Sequence, residues 1–243
     1  MRQRARSNAT TSILESIEPA ERQIVERARP YSMTSDERLV AILDAVSYAV
    51  AAGVRGAFVE CGVWRGGSVL AMVLQLERLG VSDRDIWLYD TFEGMTAPTT
   101  RDTSRFSEPA LATWRRARET GGRAWEWVFG REMFDIDSVR SLLAGTGYPG
   151  ERVHFVEGPI EKTVPGEMPA SMALLRLDTD WYESTRHELI HLYPHLEQGG
   201  VLIIDDYGHW DGCRKAVDEY FANEGGRPLL SRIDYTGRIG TKP

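Results

Sequence analysis

The sequence predicts a doubly wound α/β sheet, mainly parallel, on three observations. Short apolar runs alternate with helical segments over residues 56–221, an order that places a parallel sheet between two layers of helices. The first run passes directly into a glycine-rich turn and a helix, Glu60-Cys61-Gly62-Val63-Trp64-Arg65-Gly66-Gly67-Ser68. Two later runs end in clustered aspartates, and a length of 243 residues suits one such core better than two.

Along the chain, Ile13, Leu14, Ile17, Ile24 and Val25 are scattered apolar positions broken by Pro19 and closed by Pro30. They predict one or two short amphipathic helices in an N-terminal arm, residues 1–34, ahead of a main domain over 35–243. That domain opens on a helix over 35–52, because Ser35-Asp36-Glu37-Arg38 supplies capping groups and Leu39, Ile42, Leu43, Val46 and Val50 share a face. Strands are expected at 56–61, 86–89, 153–156, 172–177 and 201–204, with a helix over 67–79. Residues 229–233 and 238–241, joined by Tyr235-Thr236-Gly237, predict a hairpin that gives the sheet an antiparallel edge. Between residues 96 and 130 the alternation gives way to polar residues, Pro98, Pro109 and the tryptophans Trp114, Trp125 and Trp127. So long and aromatic an insertion either covers a binding site like a lid or is a helical decoration packed on the domain or on another subunit.

Composition narrows the function. Acidic residues outnumber basic ones 36 to 29, a net charge of −7, whereas a nucleic-acid surface needs concentrated Lys and Arg. Arg2, Arg4 and Arg6 form a small basic tip with no apolar stretch behind it, so a signal peptide is not expected. Nor does any apolar segment approach the roughly 20 residues that cross a bilayer, and a cytoplasmic protein with no membrane partner is the expectation. Cys61 and Cys213 have neither disulfide nor metal-ligand spacing and are expected to be buried thiols.

Glycines after the first strand let the backbone turn sharply and approach a ligand, at the edge where doubly wound sheets bind small molecules. The spacing lacks the third glycine of the dinucleotide fingerprint, and no phosphate-loop Gly-Lys-Ser/Thr occurs. Asp90, in Tyr89-Asp90-Thr91-Phe92 at the second strand's tip, is placed to accept ribose hydroxyl protons. Val156-Glu157-Gly158 ends the third strand with a polar edge for adenine. Glu60 stands in an apolar strand end, where a carboxylate is costly without a partner. That partner is either Arg65 or a backbone turn, or else a cationic group of the ligand.

The fourth run ends in Leu177-Asp178-Thr179-Asp180-Trp181-Tyr182 and the fifth in Ile204-Asp205-Asp206-Tyr207-Gly208-His209-Trp210. Neighbouring strands lie about 5 Å apart, so three or four carboxylates crowd one space that a proton or a cation must relieve. Oxygen-only ligands favour Mg²⁺ or Ca²⁺, and positions left open for water or hydroxyls suit Mg²⁺. Asp178, Asp205 and Asp206 are the expected ligands, with Asp180 or His209 as proton acceptor. The competing reading has Asp205 or Asp206 capping a helix over 214–221 and Asp178 paired with Arg176 or Arg186, although Asp211 is better placed for the cap. His187, His191 and His195 recur every fourth residue but lack a further ligand, and are expected on a solvated or packed helix face.

Together, segments 59–68, 177–182 and 204–210 resemble the macrocin O-methyltransferase family, over approximately residues 31–223. The resemblance implies a Rossmann-like methyltransferase sheet and an O-methyltransferase of antibiotic biosynthesis. Such an enzyme uses S-adenosyl-L-methionine and Mg²⁺ to methylate a sugar hydroxyl on a glycosylated natural product. It implies that S-adenosylmethionine lies on the first-strand loop at Glu60, Gly62, Val63, Trp64, Arg65 and Ser68, against Asp90, Thr91, Phe92 and Gly158. Asp178 then serves the cofactor, the cation and the chemistry at once. Met33, Thr34 and Ser35 close over the methionine end, and the insertion contributes a lid and an oligomer contact. Two rivals remain at this stage. A nucleotide-sugar oxidoreductase would use a similar sheet but wants the missing glycine fingerprint, and a non-catalytic binding module would have no need of the acidic residues.

Overall fold

The computed structural model describes residues 12–129 and 135–243, so Arg2, Arg4 and Arg6 lie outside the described residues. Helix α1 (Pro19–Ala28) opens on a proline, where no backbone N–H is required. Helix α2 (Asp36–Ala51) is capped as expected, the Ser35 hydroxyl accepting the N–H of Arg38, and its buried face carries Leu39, Ile42, Leu43 and Val46. Then follow β1 (Ala57–Cys61), α3 (Gly67–Arg78) and β2 (Ile86–Asp90). The insertion holds α4 (Ala110–Glu119) and the single turn α5 (Glu126–Phe129), and α6 (Ile136–Ala144) leads back to the sheet. The second half runs β3 (Val153–Glu157), α7 (Ile160–Thr163), β4 (Met172–Leu177), α8 (Tyr182–His191), β5 (Leu196–Ile204), α9 (Asp211–Glu224), β6 (Ser231–Arg232) and β7 (Arg238–Thr241).

Among the described residues the sheet has seven strands in the order β3-β2-β1-β4-β5-β7-β6. The first five are parallel, and β7 is antiparallel to both β5 and β6. The terminal hairpin is therefore present, but β6 keeps only two ladder residues and it is β7 that covers β5. Asp234 shapes its turn by accepting the N–H groups of Thr236 and Gly237. Strands β1 and β4 are buried along their whole lengths, which is why they read as near-continuous apolar runs. Glu60 and Arg176 break those runs, and the register sets them side by side.

One face of the sheet packs against α2, α3 and α6, and Ile24, Val25 and Ala28 of α1 enter that same core. The other face packs against α8 and α9 and encloses both cysteines, which are free. The histidine series does not share one helix face: His187 and His191 lie on α8 with their rings 4.3 Å apart and His187 2.9 Å from the Val164 carbonyl, whereas His195 lies in the turn beyond it, exposed, 3.2 Å from the Ala170 carbonyl. Among the described residues no helix is long and apolar enough to cross a membrane.

Candidate functional site

The chain winds outward from β1 to β2 and β3 on one side and from β4 to β5 on the other, which opens a crevice at the strand tips. A cavity of about 440 Å³ occupies it. Its wall brings together Glu60, Gly62, Val63, Trp64 and Ser68 of the β1 loop, Asp90 and Thr91 after β2, Gly158 after β3, and Met33 and Thr34 ahead of α2. Asp178, Asp180, Asp205, Asp206 and His209 complete it.

Three expected residues stand elsewhere. Ser35 is off the cavity wall, capping α2 and donating its hydroxyl to Asp234 Oδ2 at 2.9 Å. Arg65 turns toward the N-terminal arm, bonding the Pro30 carbonyl at 3.2 Å with its guanidinium over the rings of Tyr31 and Trp64. The ring of Phe92 is buried in the core near Phe155, and it is its backbone N–H that reaches Asp90, at 2.8 Å.

The β1 loop is held by close contacts. Asp90 Oδ2 accepts the N–H groups of Val63 and Trp64 at 2.6 and 2.9 Å, which ties the loop to β2. Burial raises the Asp90 pKa against these bonds. Gly62 has φ +86°, and a Cβ there would lie 2.0 Å from the carbonyl oxygen of Asp178. Gly62→Ala is therefore expected to destabilise the fold by about 3 kcal/mol, seen as a melting temperature lower by roughly 6–12 °C. An unchanged melting temperature would mean that the two strand tips can part without cost.

Glu60 pairs with neither Arg65 nor a turn. Its Oε1 lies 2.6 Å from Nη1 of Arg176, directly across on β4. Arg176 is only 1% exposed and also reaches Asp178 Oδ2 at 2.8 Å and Asp205 Oδ1 at 2.6 Å, so one guanidinium joins three carboxylates. Burial still pushes Glu60 up to about 7 despite Arg176. From α2, Arg38 comes within ion-pair range of Asp205 and Asp234, tying the acidic tips to the terminal hairpin.

The Arg176–Asp178 pair thus exists, and it coexists with the acidic cluster rather than replacing it. Neither Asp205 nor Asp206 caps α9; its N-cap residue is Trp210, and Asp211 sits in the first turn, accepting from the Thr103 hydroxyl. One oxygen each of Asp178, Asp205 and Asp206 lies within 4.8 Å of the others. Asp206 Oδ2 is buried with no hydrogen-bond partner. Burial, added to by neighbouring carboxylates, raises Asp178 and Asp206 well above the usual range, Arg176 opposing at Asp178 and Arg38 at Asp206. An orphaned oxygen among hard donors fits a divalent cation.

The two candidate bases differ in setting. Asp180 accepts from the Trp210 indole at 3.1 Å, and burial, with the Asp178 charge added, pushes it up to about 7. His209 stands at the rim, its ring nitrogens 3.0 Å from the Tyr235 hydroxyl and 3.5 Å from that of Ser107. Burial and then Arg38 lower its pKa.

Part of the insertion reaches the cavity. Trp125 and Val128 line it; Trp125 packs on Trp181, itself 5.0 Å from Trp210, and the Trp64 indole donates to Val128 O at 3.1 Å. Trp114 is half-buried away from the wall, and the Trp127 side chain lies outside the described residues.

The chain matches the family model described as macrocin-O-methyltransferase (TylF) over residues 3–240. It is 35% identical to the 8-demethyl-8-(2,3-dimethoxy-alpha-L-rhamnosyl)-tetracenomycin-C 4'-O-methyltransferase of Streptomyces olivaceus, over 85% of this chain and 74% of that one. It is 32% identical to the demethyldecarbamoylnovobiocin O-methyltransferase of Streptomyces niveus, over 86% and 75%. Among solved structures, the O-methyltransferase NovP superposes with a TM-score of 0.72 at 31% identity, covering 87% of this chain and 82% of NovP.

Proposed function

The chain belongs to the macrocin-O-methyltransferase family, and from that premise we propose that it moves the methyl group of S-adenosylmethionine onto a sugar hydroxyl of a glycosylated natural product, with a divalent cation, Mg²⁺, on Asp178, Asp205 and Asp206. The observation that carries this reading is that one cavity joins the β1 glycine loop to the three carboxylates at the tips of β4 and β5. Relatives that act on tetracenomycin and novobiocin precursors support a glycosylated acceptor. A nucleotide-sugar oxidoreductase loses its footing with the family match.

In this reading the loop at Gly62, Val63 and Trp64 and the carboxylate of Asp90 receive the nucleoside, while Glu60, Met33 and Thr34 face the methionine end. S-adenosylmethionine supplies a methyl group on a cationic sulfur, and the cation lowers the pKa of a coordinated hydroxyl and fixes its direction. The carboxylates oppose their negative charge to the sulfonium. Trp125 and Trp181 wall the site from bulk water, which strengthens those interactions. Asp180, held by the Trp210 indole, takes the proton from the acceptor. His209, engaged at the rim, contacts the outer part of the acceptor.

The test is mass-spectrometric detection of a methylated sugar after incubation with S-adenosylmethionine and a panel of glycosylated acceptors, before and after chelation and with Mg²⁺ restored. Activity is expected to vanish with the chelator and return with Mg²⁺; undiminished activity would remove the cation, and methyl groups found only on aglycones would remove the sugar. Asp180→Asn is expected to lower kcat about a hundredfold, and His209→Ala far less. The reverse order of effects would hand the proton to His209.

A further inference from the structure

The turn that carries Asp178 and Asp180 is not one a chain adopts freely. Asp180 has φ +66°, and the N–H of Trp181 bonds back to Thr179 O at 2.7 Å. A three-residue turn of this hand is strained, and it persists only where the surroundings over-determine it. Tyr182 N–H is anchored on Asp102 Oδ1, the Ser184 hydroxyl reaches Thr179 O, and Trp210 holds the Asp180 carboxyl. One further anchor is unusual in its setting.

Glu188, on α8, is fully buried, and its Oε1 accepts the Thr179 hydroxyl at 2.8 Å. Its Oε2 is buried without a hydrogen-bond partner. Burial drives this carboxyl well above the usual range, and Thr179 opposes only in part, while Glu161, Asp178 and Asp206 push the same way. A buried carboxyl with one orphaned oxygen gives the fold little in return: a hydrocarbon of similar size at such a place is often neutral or stabilising. What the carboxyl does provide is an acceptor for the hydroxyl that lies between the two aspartates.

We propose that Glu188 is a positioning residue for methyl transfer, which through the Thr179 hydroxyl fixes the strained turn that presents Asp178 and Asp180 to the cavity. The inference rests on the functional reading above, so its test includes binding measurements that need no turnover. Glu188→Leu and Glu188→Gln are made in the full chain, and Mn²⁺ binding is followed by electron paramagnetic resonance without cofactor. Glu188→Leu is expected to keep or raise the melting temperature and to bind S-adenosylhomocysteine as the parent does. It should nevertheless hold Mn²⁺ about tenfold more weakly, with kcat lower by at least as much. Glu188→Gln keeps an uncharged acceptor oxygen and should restore both. Thr179→Val, which leaves α8 intact, should reproduce the losses, and the double variant should be no worse than either single one.

Unchanged Mn²⁺ affinity and kcat in Glu188→Leu would overturn the proposal. So would a fall in melting temperature and S-adenosylhomocysteine affinity in parallel with Mn²⁺, the mark of a merely structural role. Mn²⁺ affinity that responds to Glu188 in a protein that methylates no acceptor would support the placement and overturn the transfer reading alone. A parent chain that binds no Mn²⁺ overturns both.

Discussion

Asp178→Asn is expected to lower kcat by about a thousandfold or more, because cation assistance contributes several kcal/mol and each 1.36 kcal/mol is a factor of about ten. Binding of S-adenosylhomocysteine should stay near that of the parent. Asp178 offers one of three oxygens that lie within 4.8 Å of each other, and an amide in its place keeps the shape while giving up the charge a hard cation needs. The Arg176 contact at 2.8 Å survives in part, since the amide oxygen still accepts. Calorimetric titration of Mg²⁺ and of S-adenosylhomocysteine, each separately, checks both halves. Full turnover by the metal-stripped variant would sink the cation role, and loss of both affinities would make Asp178 first of all a cofactor residue.

Arg176→Met should be the most damaging change to the fold. Removing one member of a buried ionic group costs about 3–5 kcal/mol, because the remaining charges are left uncompensated. In a chain of this length that amounts to a melting temperature lower by roughly 10 °C. Glu60, Asp178 and Asp205 lose the guanidinium they share; Asp205 keeps Arg38, whereas Glu60, 1% exposed, is left without its cationic partner. Adding Glu60→Gln should recover part of the loss, since it removes one of the unpaired charges. Thermal denaturation followed by circular dichroism at neutral pH measures both; equal melting temperatures for the parent and Arg176→Met would mean that water or neighbouring groups replace the guanidinium.

Where the sequence was legible, the reason is local. The residues at the ends of apolar runs are the residues at strand tips, so Glu60, Asp90, Asp178, Asp205 and Asp206 could be placed on one rim before any pairing was known. Glu60 and Arg176 are 116 residues apart and meet only through the β1–β4 register. An opposed charge in each of two buried strands was the available signal, and it says nothing of which strands are neighbours. Arg38 was hidden by its own helix, where Ser35 to Arg38 reads as capping chemistry while the side chain travels to Asp205.

Strand β5 begins at Leu196, but Glu197-Gln198-Gly199-Gly200 has the composition of a loop and concealed its first half. Helix α6 is capped by Asp135 and sends Val139 and Leu143 into the core at helical spacing, but two buried positions are too few to give the sequence a readable period. Arg65 and Phe92 follow from the resemblance as members of its motifs, and membership of a motif does not decide which way a side chain leaves a turn. Trp64 at φ +49° and Phe92 at φ +50° mark where the backbone redirects the chain.

The terminal hairpin carries a consequence for the chain's history. Thr236 donates its hydroxyl to Asp205 O at 2.8 Å and accepts the N–H of Gly208, while β7 pairs with Val201 to Ile204. Synthesis proceeds from the N-terminus, so Asp178, Asp205 and Asp206 are all made before the segment that braces two of them. In that interval, or in a chain clipped before residue 231, β5 presents Val-Leu-Ile-Ile on an open edge, a template for pairing with another molecule. The strand that brings the acidic pair to the rim is thus also the adhesive one, and the hairpin that completes the site also closes that edge.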